Sequence, residues 1–590
     1  MAPSIAVAKS SLSYPLYGAD FDPEDDRFLL VGGGGGEGRS GVGNKITLLD
    51  ASSPSTLTQV AEIDLSRDED SVTSLAVAHR TGKNKTLALA GINSSTAAQA
   101  ANQNEHLRSF AVHYPSRKSQ NASGKGSGSI TATARASRFS PSTAVKKETY
   151  QRVLRLSPMR KPATTSRLAA IATGLAPEGE IVLLDSASTT SRGRINLGKG
   201  EEAADVDIIE ASDKEYHVAY CTTYEIARCT VRRSASPAKD KLDPQVVWVC
   251  PHPDVFASEK ARPSFRALRF LTPSLLLVLS NRPKRTGAEL SILRISGRFG
   301  EVIGRKVLHR SMKAATGLDV TVLGHSLQDG YQAVIAVSGQ DASIEMLAVD
   351  IKPSGEPSGF RVFAILRDVH PLQITRVCLS TFFPPPPPTP TRKNASLASA
   401  PLPPQYIKLA SVSVGNTVVV HTLPLTTTPG PGRSRRYVLV SPSWFSTPTR
   451  AVLASLIVIL LAILLQGYFG VGRSPGGLGR MGLQNVVPQA KVADPSLNGA
   501  PLQDDIGSGM TSKAGVMVRD GPDAPQVQTQ PANVLEKEGK PWHELQPHEK
   551  ERWKQKLAAA GQWTLEEGET VLEALFFGEM GAVVGQAVGG

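Results

Sequence analysis

The sequence predicts an all-β chain: a seven-bladed, WD-repeat-like β-propeller closed by its own N-terminal strand, then one transmembrane helix and a largely disordered tail. Three observations predict it. From residue 14 to residue 425, short apolar runs recur between turn residues with hardly any helix-period stretch among them. These runs group in fours. The last group is one run short, and SIAVAK at 4–9 is available to complete it.

Taken in order, the first group is YGADF, FLLV, KITLLD and TQVAEIDL, and the second begins SVTSLAVA, TLALAGI and LRSFAVHY. The third is YQRVLRLS, RLAAIAT, EIVLLD and GRINL; the fourth is VDII, HVAYCTT, IARCTVRR and VVWVC. FRALRFL, LLLVLS, LSILRI and VIGRKVL make the fifth, and GLDVTVL, QAVIAVS, SIEMLAV and RVFAIL the sixth. The seventh has ITRVCLS, IKLASVSV and TVVVHTLPL. A closed ring leaves no long sheet edge to aggregate, which is the physical reason to expect the N-terminal run in the last blade. The unit is similar in length to a WD repeat, although no Trp-Asp dipeptide occurs.

Seven such units leave over a hundred residues for insertions. Residues 116–147 carry seven basic residues and no acidic one in a Ser/Gly/Ala-rich stretch, so a disordered insertion is expected near 115–148. A second is expected at 383–404, where FPPPPPTP begins a polyproline spacer. The formal net charge of +12 is thereby concentrated in linkers without interleaved aromatic residues, and nucleic acid is not expected as a partner.

Cys221, Cys229, Cys250 and Cys378 lie in strand-like runs without metal-ligand spacing and read as buried free thiols of a reducing compartment. Sequons at Asn84, Asn93, Asn121 and Asn394 are silent there. No basic, apolar signal peptide opens the chain. Residues 451–469, AVLASLIVILLAILLQGYF, carry no charge and have the length a bilayer needs, so a transmembrane helix is expected at 451–471. A slight excess of arginine before it points to a single-pass protein with residues 1–440 cytosolic and the tail lumenal. Residues 472–540 read as disordered linker, and 541–590 as a lumenal segment with short helices.

The stretch most in need of explanation joins FLLV to KITLLD: five consecutive glycines at 32–36, then Glu37 to Asn44. Paired strands normally close through a few residues, and a longer connection is functional or disordered. Gly36-Glu37-Gly38-Arg39-Ser40-Gly41 matches G-x-G-x-x-G, but the dinucleotide fingerprint opens a helix and here a strand follows. The phosphate-loop pattern fails for want of Gly-Lys-Ser/Thr. No G-x-S-x-G or H-E-x-x-H occurs, so no bond-making enzyme is expected. With one carboxylate, Glu37, the loop makes a poor calcium or magnesium cage, but unhindered carbonyls can replace the hydration shell of potassium. Composition alone leaves two readings open, a disordered loop or a carbonyl ion site.

These features together resemble the endoplasmic-reticulum exchange factors that load GTP onto the small GTPase initiating COPII vesicle coats, the family that includes the animal prolactin regulatory element-binding protein. The resemblance rests on Tyr14-Pro-Leu-Tyr-Gly18, VGGGGGEGRSGVGNKI from Val31, AGINSS from Ala90, NEHLRSF from Asn104 and the last blade's KLASVSVGNTVVVHTLPL. It implies a cytosolic propeller on the endoplasmic reticulum membrane whose first-blade loop binds potassium and contacts the GTPase. On this chain the implied ion site is the backbone carbonyls of Gly34, Gly36, Gly38, Gly41 and Gly43. Val42 is the implied apolar contact, and Asn44 the residue that fixes the return strand. Relatives often carry Pro where this chain has Gly43. A membrane-anchored propeller scaffold without exchange activity is the alternative, and it would have no need of the glycine loop.

Overall fold

The computed structural model describes residues 5–440 apart from 39–40, 116–127, 142–148, 161–163, 165, 235–241, 253–260, 325, 386–402 and 430–434, together with short stretches between 514 and 585. The chain divides into two compact units, Met1–Leu464 and Leu465–Gly590.

The first unit is a seven-bladed propeller of antiparallel sheets. Strand β1 is Ala6–Ser11, and the first blade is β2 (Leu16–Asp22), β3 (Asp25–Gly33), β4 (Lys45–Asp50) and β5 (Thr58–Asp64). Five further sheets repeat that consecutive order through Arg361–Leu366. The seventh is built from Ile374–Leu379, Gln405–Ser413 and Thr417–Pro429. As expected, β1 completes it, pairing antiparallel from Ala6 opposite Thr422 to Ser11 opposite Thr417. One strand was not foreseen. Arg435–Leu439 extends the same edge of Thr417–Pro429 and is tied to the sixth blade where the Leu439 N–H donates to Gln332 Oε1 at 2.9 Å.

Apolar residues from facing sheets interdigitate between every pair of neighbouring blades. Seven buried clusters result, each drawing on two adjacent blades, and the one joining the seventh blade to the first holds Tyr14, Leu16, Val31, Ala410 and Val420. Closing the ring therefore buries an apolar cluster of the same kind as the internal joints do. Along the innermost strands, buried aspartates stitch one blade to the next. Asp20 accepts from the Val77 N–H (2.8 Å), Asp207 from Phe270 (2.8 Å) and Asp319 from Leu379 (2.8 Å). Such bonds satisfy edge amides that would otherwise be buried unpaired.

The expected insertion at 115–148 is corrected in its middle. Ser129–Ala136 forms the fourth strand of the second blade, paired from Leu107 opposite Ala136 to His113 opposite Ser129. Its sequence SITATARA alternates β-branched with small residues, and the neighbouring strand offered an unpaired edge. Residues 386–402, within the proline-rich insertion, and the predicted span at 451–471 lie outside the described residues. Among the described residues, no helix is long and apolar enough to cross a membrane.

In the second unit, Ala514–Arg519 pairs with Gln526–Pro531 inside the stretch read as disordered linker. Leu575–Phe577 is a strand where helical pattern was read, and it runs parallel to Ala514–Arg519. Both paired segments, AGVMVR and QVQTQP, alternate at period two within polar surroundings.

Candidate functional site

Strand β3 ends in glycine because its partner passes too close for a side chain. A Cβ on Gly33 would lie 1.9 Å from the Pro15 carbonyl oxygen, and the Gly34 N–H donates to that same oxygen at 2.9 Å. Tyr14 holds Pro15 in place. Its hydroxyl lies 2.6 Å from Thr47 Oγ1, which donates to Glu62 Oε2 at 2.9 Å, and Lys45 Nζ pairs with Glu62 Oε1 at 2.6 Å. Tyr14 is wholly buried, and burial drives its hydroxyl pKa well above the ordinary value. The exit of the loop is thus set by a buried relay across β4 and β5.

Beyond Gly33 the chain turns through left-handed backbone at Gly34 (φ 142°), Gly36 (φ 76°) and Gly41 (φ 72°). Asn44 closes the base. It is buried, its Oδ1 accepts the Gly36 N–H at 2.9 Å, and its Nδ2 donates to the carbonyls of Ser66 (3.1 Å) and Glu69 (2.8 Å). A Cβ on Gly34 would stand 2.2 Å from Asn44 Oδ1. Gly38 and Gly43 are different: nothing stands within 3.9 Å of a Cβ there and neither has positive φ. Val42 is partly buried against the cluster between the seventh and first blades. Residues 39–40 lie outside the described residues.

The loop reaches the second blade through Glu37. Its Oε2 accepts both the N–H and the Oγ1–H of Thr96, each at 2.6 Å, at the start of α1 (Thr96–Ala100). Sequence reading credited the loop with this one carboxylate, but the fold engages it with a neighbour and brings another alongside. Asp70 Oδ1 lies 3.0 Å from where a Gly36 Cβ would be, and it accepts the Ser71 N–H at 2.7 Å. Asn93, one of the sequon residues, is buried and donates to the Thr149 carbonyl (2.9 Å) while accepting from Asn104 (3.1 Å). Arg108, also buried, pairs with Glu69 at 2.9 Å. The stretches AGINSS and NEHLRSF thus back the connection of Glu69 and Asp70, which in turn meets the base of the glycine loop. The acidic run Asp68-Glu69-Asp70 reads in sequence only as a solvated turn or a charged rim for a partner; its approach to the loop, the clamp at Thr96 and the Tyr14 relay within the first blade are meetings that sequence spacing does not reveal.

Lys45–Asp50 follows the loop as a strand, which agrees with setting aside the dinucleotide and phosphate-loop readings. All four cysteines are free and buried, and burial pushes the Cys221 and Cys229 thiols up, Cys229 to about 12. No cluster of metal-ligating side chains occurs among the described residues. The donors beside the loop, neutral carbonyls with one neighbouring carboxylate, fit a monovalent cation in charge and hardness.

No protein-family model matches the chain. A stretch of 116 residues is 35% identical to the guanine nucleotide-exchange factor SEC12 of Candida glabrata, covering 19% of this chain and 24% of that protein. Among solved structures, Sqt1 of Chaetomium thermophilum is similar with a TM-score of 0.40 at 13% identity, over 71% of this chain and 98% of that one. The WD40 domain of Toxoplasma gondii coronin gives 0.37 at 10%, over 71% and 87%. The architecture described above rests on this chain's own strand pairing. What can be said plainly of its kinship is that it is a propeller with partial similarity to SEC12.

Proposed function

We propose that this chain is a guanine-nucleotide exchange factor that acts on the small GTPase initiating COPII coats, from the endoplasmic reticulum membrane. The observation that carries the reading is the built base of the glycine loop. Asn44, Pro15 and Thr96 hold a long, glycine-rich connection against two blades, and a scaffold propeller has no use for it. The partial similarity to SEC12 supports the same reading. Residues 451–469 supply the apolar sequence for the anchor.

An exchange factor makes no covalent bond. It binds the nucleotide-free GTPase, with displaced switch segments, more tightly than the loaded one, and by linkage nucleotide then binds more weakly to the complex. In this chain the loop is the displacing element, with Val42 as its apolar contact and Asn44 as its strut. A potassium ion held by carbonyls of Gly34, Gly36, Gly38, Gly41 and Gly43 would supply electrostatic stiffening. The left-handed turn at Gly36 is partly exposed and carries backbone that no Cβ shields, which is what such a site requires.

The test is nucleotide release from the purified GTPase with residues 1–440, in potassium and then in sodium. Acceleration is expected, and more of it in potassium. If no GTPase of the coat-initiating class is accelerated, the reading fails and a membrane-anchored scaffold takes its place; equal rates in both salts remove the ion alone.

A further inference from the structure

The seven innermost strands start at the same end of the ring as the glycine loop, because Leu16, first in β2, pairs with Gly33 at the loop's root. At that end the central channel opens into a cavity of about 520 Å³, a volume typical of small-ligand sites. Below it, a layer of ion pairs closes the channel. Arg269 pairs with Asp205 and, at 3.4 Å, with Asp319, while Arg155 approaches Asp319 at 3.6 Å and Asp207 at 3.7 Å. The cavity is therefore a cup with a floor.

Its charge is unbalanced. Five arginines line it (Arg152, Arg155, Arg266, Arg269, Arg376) against two carboxylates, Glu202 and Asp205. Arg155 and Arg269 are engaged in the floor, and Arg152 is held by Glu202 at 2.6 Å. Arg266 from the fifth blade and Arg376 from the seventh, both only partly exposed, make no close side-chain hydrogen bond or ion pair with the described residues, although the charge of Asp205 is felt by both and that of Asp20 by Arg376. Burial and the neighbouring Arg152 hold the Arg266 guanidinium below its ordinary pKa, and the nearby Asp205 offsets them only in part. Folded chains rarely bring unpaired guanidinium groups together without an anion to share.

We propose that this cup binds a compact polyphosphate anion, with Arg266 and Arg376 as forked donors from different blades and Arg152 as a third cation at the wall. Guanidinium forks match phosphate oxygens in pairs, and donors arriving from different blades suit two or more linked phosphate groups better than a single carboxylate. The recess and its closed floor favour a small ligand over a protein side chain presented from a flat surface. The site is independent of exchange, so its test needs no GTPase.

The experiment is calorimetric titration of the full chain in detergent micelles with inorganic tripolyphosphate at physiological ionic strength, with sulfate and an octaglutamate peptide as comparisons. Saturable binding of one tripolyphosphate per chain is expected, with a raised melting temperature and much weaker binding of both comparisons. Arg266→Gln and Arg376→Gln are each expected to weaken binding by about tenfold or more, while the exposed Arg298→Gln leaves it unchanged. If a Gln variant fails to fold, the Lys variant at the same position keeps the charge, loses the fork and is expected to bind more weakly than the parent. Non-saturating uptake, unchanged affinity in the variants, or tighter binding of octaglutamate than of tripolyphosphate would overturn the proposal; the last result would assign the cup to an acidic protein segment.

Discussion

Asn44 Oδ1 accepts the Gly36 N–H at 2.9 Å while Asn44 Nδ2 donates to the Glu69 carbonyl at 2.8 Å, so one buried side chain ties the glycine loop to the connection between the first two blades. Replacing it with Ala strands one N–H and two carbonyls. The expected cost is about 2 kcal/mol, since buried groups left unpaired lose their full desolvation energy. Amide exchange at 34–38 should rise well before global unfolding, and nucleotide release should fall about tenfold. Asn44→Asp keeps the acceptor but loses both donors, and should be no better than Ala. Hydrogen exchange read alongside the release assay checks both.

The loop's glycines should not be equivalent. Gly34→Ala meets Asn44 within 2.2 Å at φ 142° and is expected to cost roughly 1–3 kcal/mol and most of the activity. Gly38→Ala has open space and ordinary backbone, so its melting temperature should stay within about a degree of the parent's. Equal losses at both positions would mean that glycine is needed along the whole loop by the partner, not by the fold.

Glu37 and Thr96 clamp the loop to the second blade at its surface. Glu37→Gln retains an acceptor oxygen but no charge, whereas Glu37→Ala removes the clamp; both should leave global stability nearly unchanged, as exposed polar contacts do. Limited proteolysis within 36–44 should nevertheless quicken in Glu37→Ala and in Thr96→Val. Unaltered cleavage in both would show that the clamp does not hold the loop.

His106 supplies a pH dependence. Its Nε2 accepts the N–H groups of Arg138 (3.1 Å) and Phe139 (3.2 Å), so the proton sits on Nδ1, which donates to Gln151 Oε1 at 3.0 Å. Burial, with Arg108 and Arg138 nearby, pushes its pKa down to about 4, outweighing the Gln151 bond that favours the charged form. A folded pKa below the unfolded value contributes stability above pH 6.5 that is lost as pH falls through 6.5 towards 4. At pH 5 the loss at this one residue is about 2 kcal/mol. The stability advantage of the parent over His106→Asn should therefore shrink between pH 7 and pH 5 in denaturant titrations.

Closure of the ring by β1 has a direct test. Removing residues 1–11 bares the edge of Thr417–Pro429 from Thr417 to Thr422, and Ala8→Asp sets a charge at a buried position of the same strand. Both are expected to aggregate on mild heating, because an unpaired edge in a blade recruits other chains. Light scattering against temperature reads the outcome, and supplying a 4–11 peptide in trans should delay it.

Most of the architecture was legible along the chain because a propeller is local. Each blade pairs consecutive strands, so alternation, turn residues and the run missing from the last group together determined the blade order and the closing strand. Composition misled where a strand borrowed its stability from a neighbour, as Ser129–Ala136 does from Leu107–His113 within a basic, Ser-rich stretch. The glycine loop, its length and its lack of a following helix were also determined by sequence. What only the tertiary structure decided is how that loop is held: Pro15 beneath Gly34, Asn44 across to Glu69, Glu37 out to Thr96, and Asp70 beside Gly36. The meeting of Arg152, Arg266 and Arg376 in one cup was likewise invisible in the chain. The Pro15 contact is made within the first blade and the others between blades or their connections; burial of the seven inter-blade clusters sets them, and a linear pattern of apolar residues specifies that burial without stating which polar groups it brings face to face.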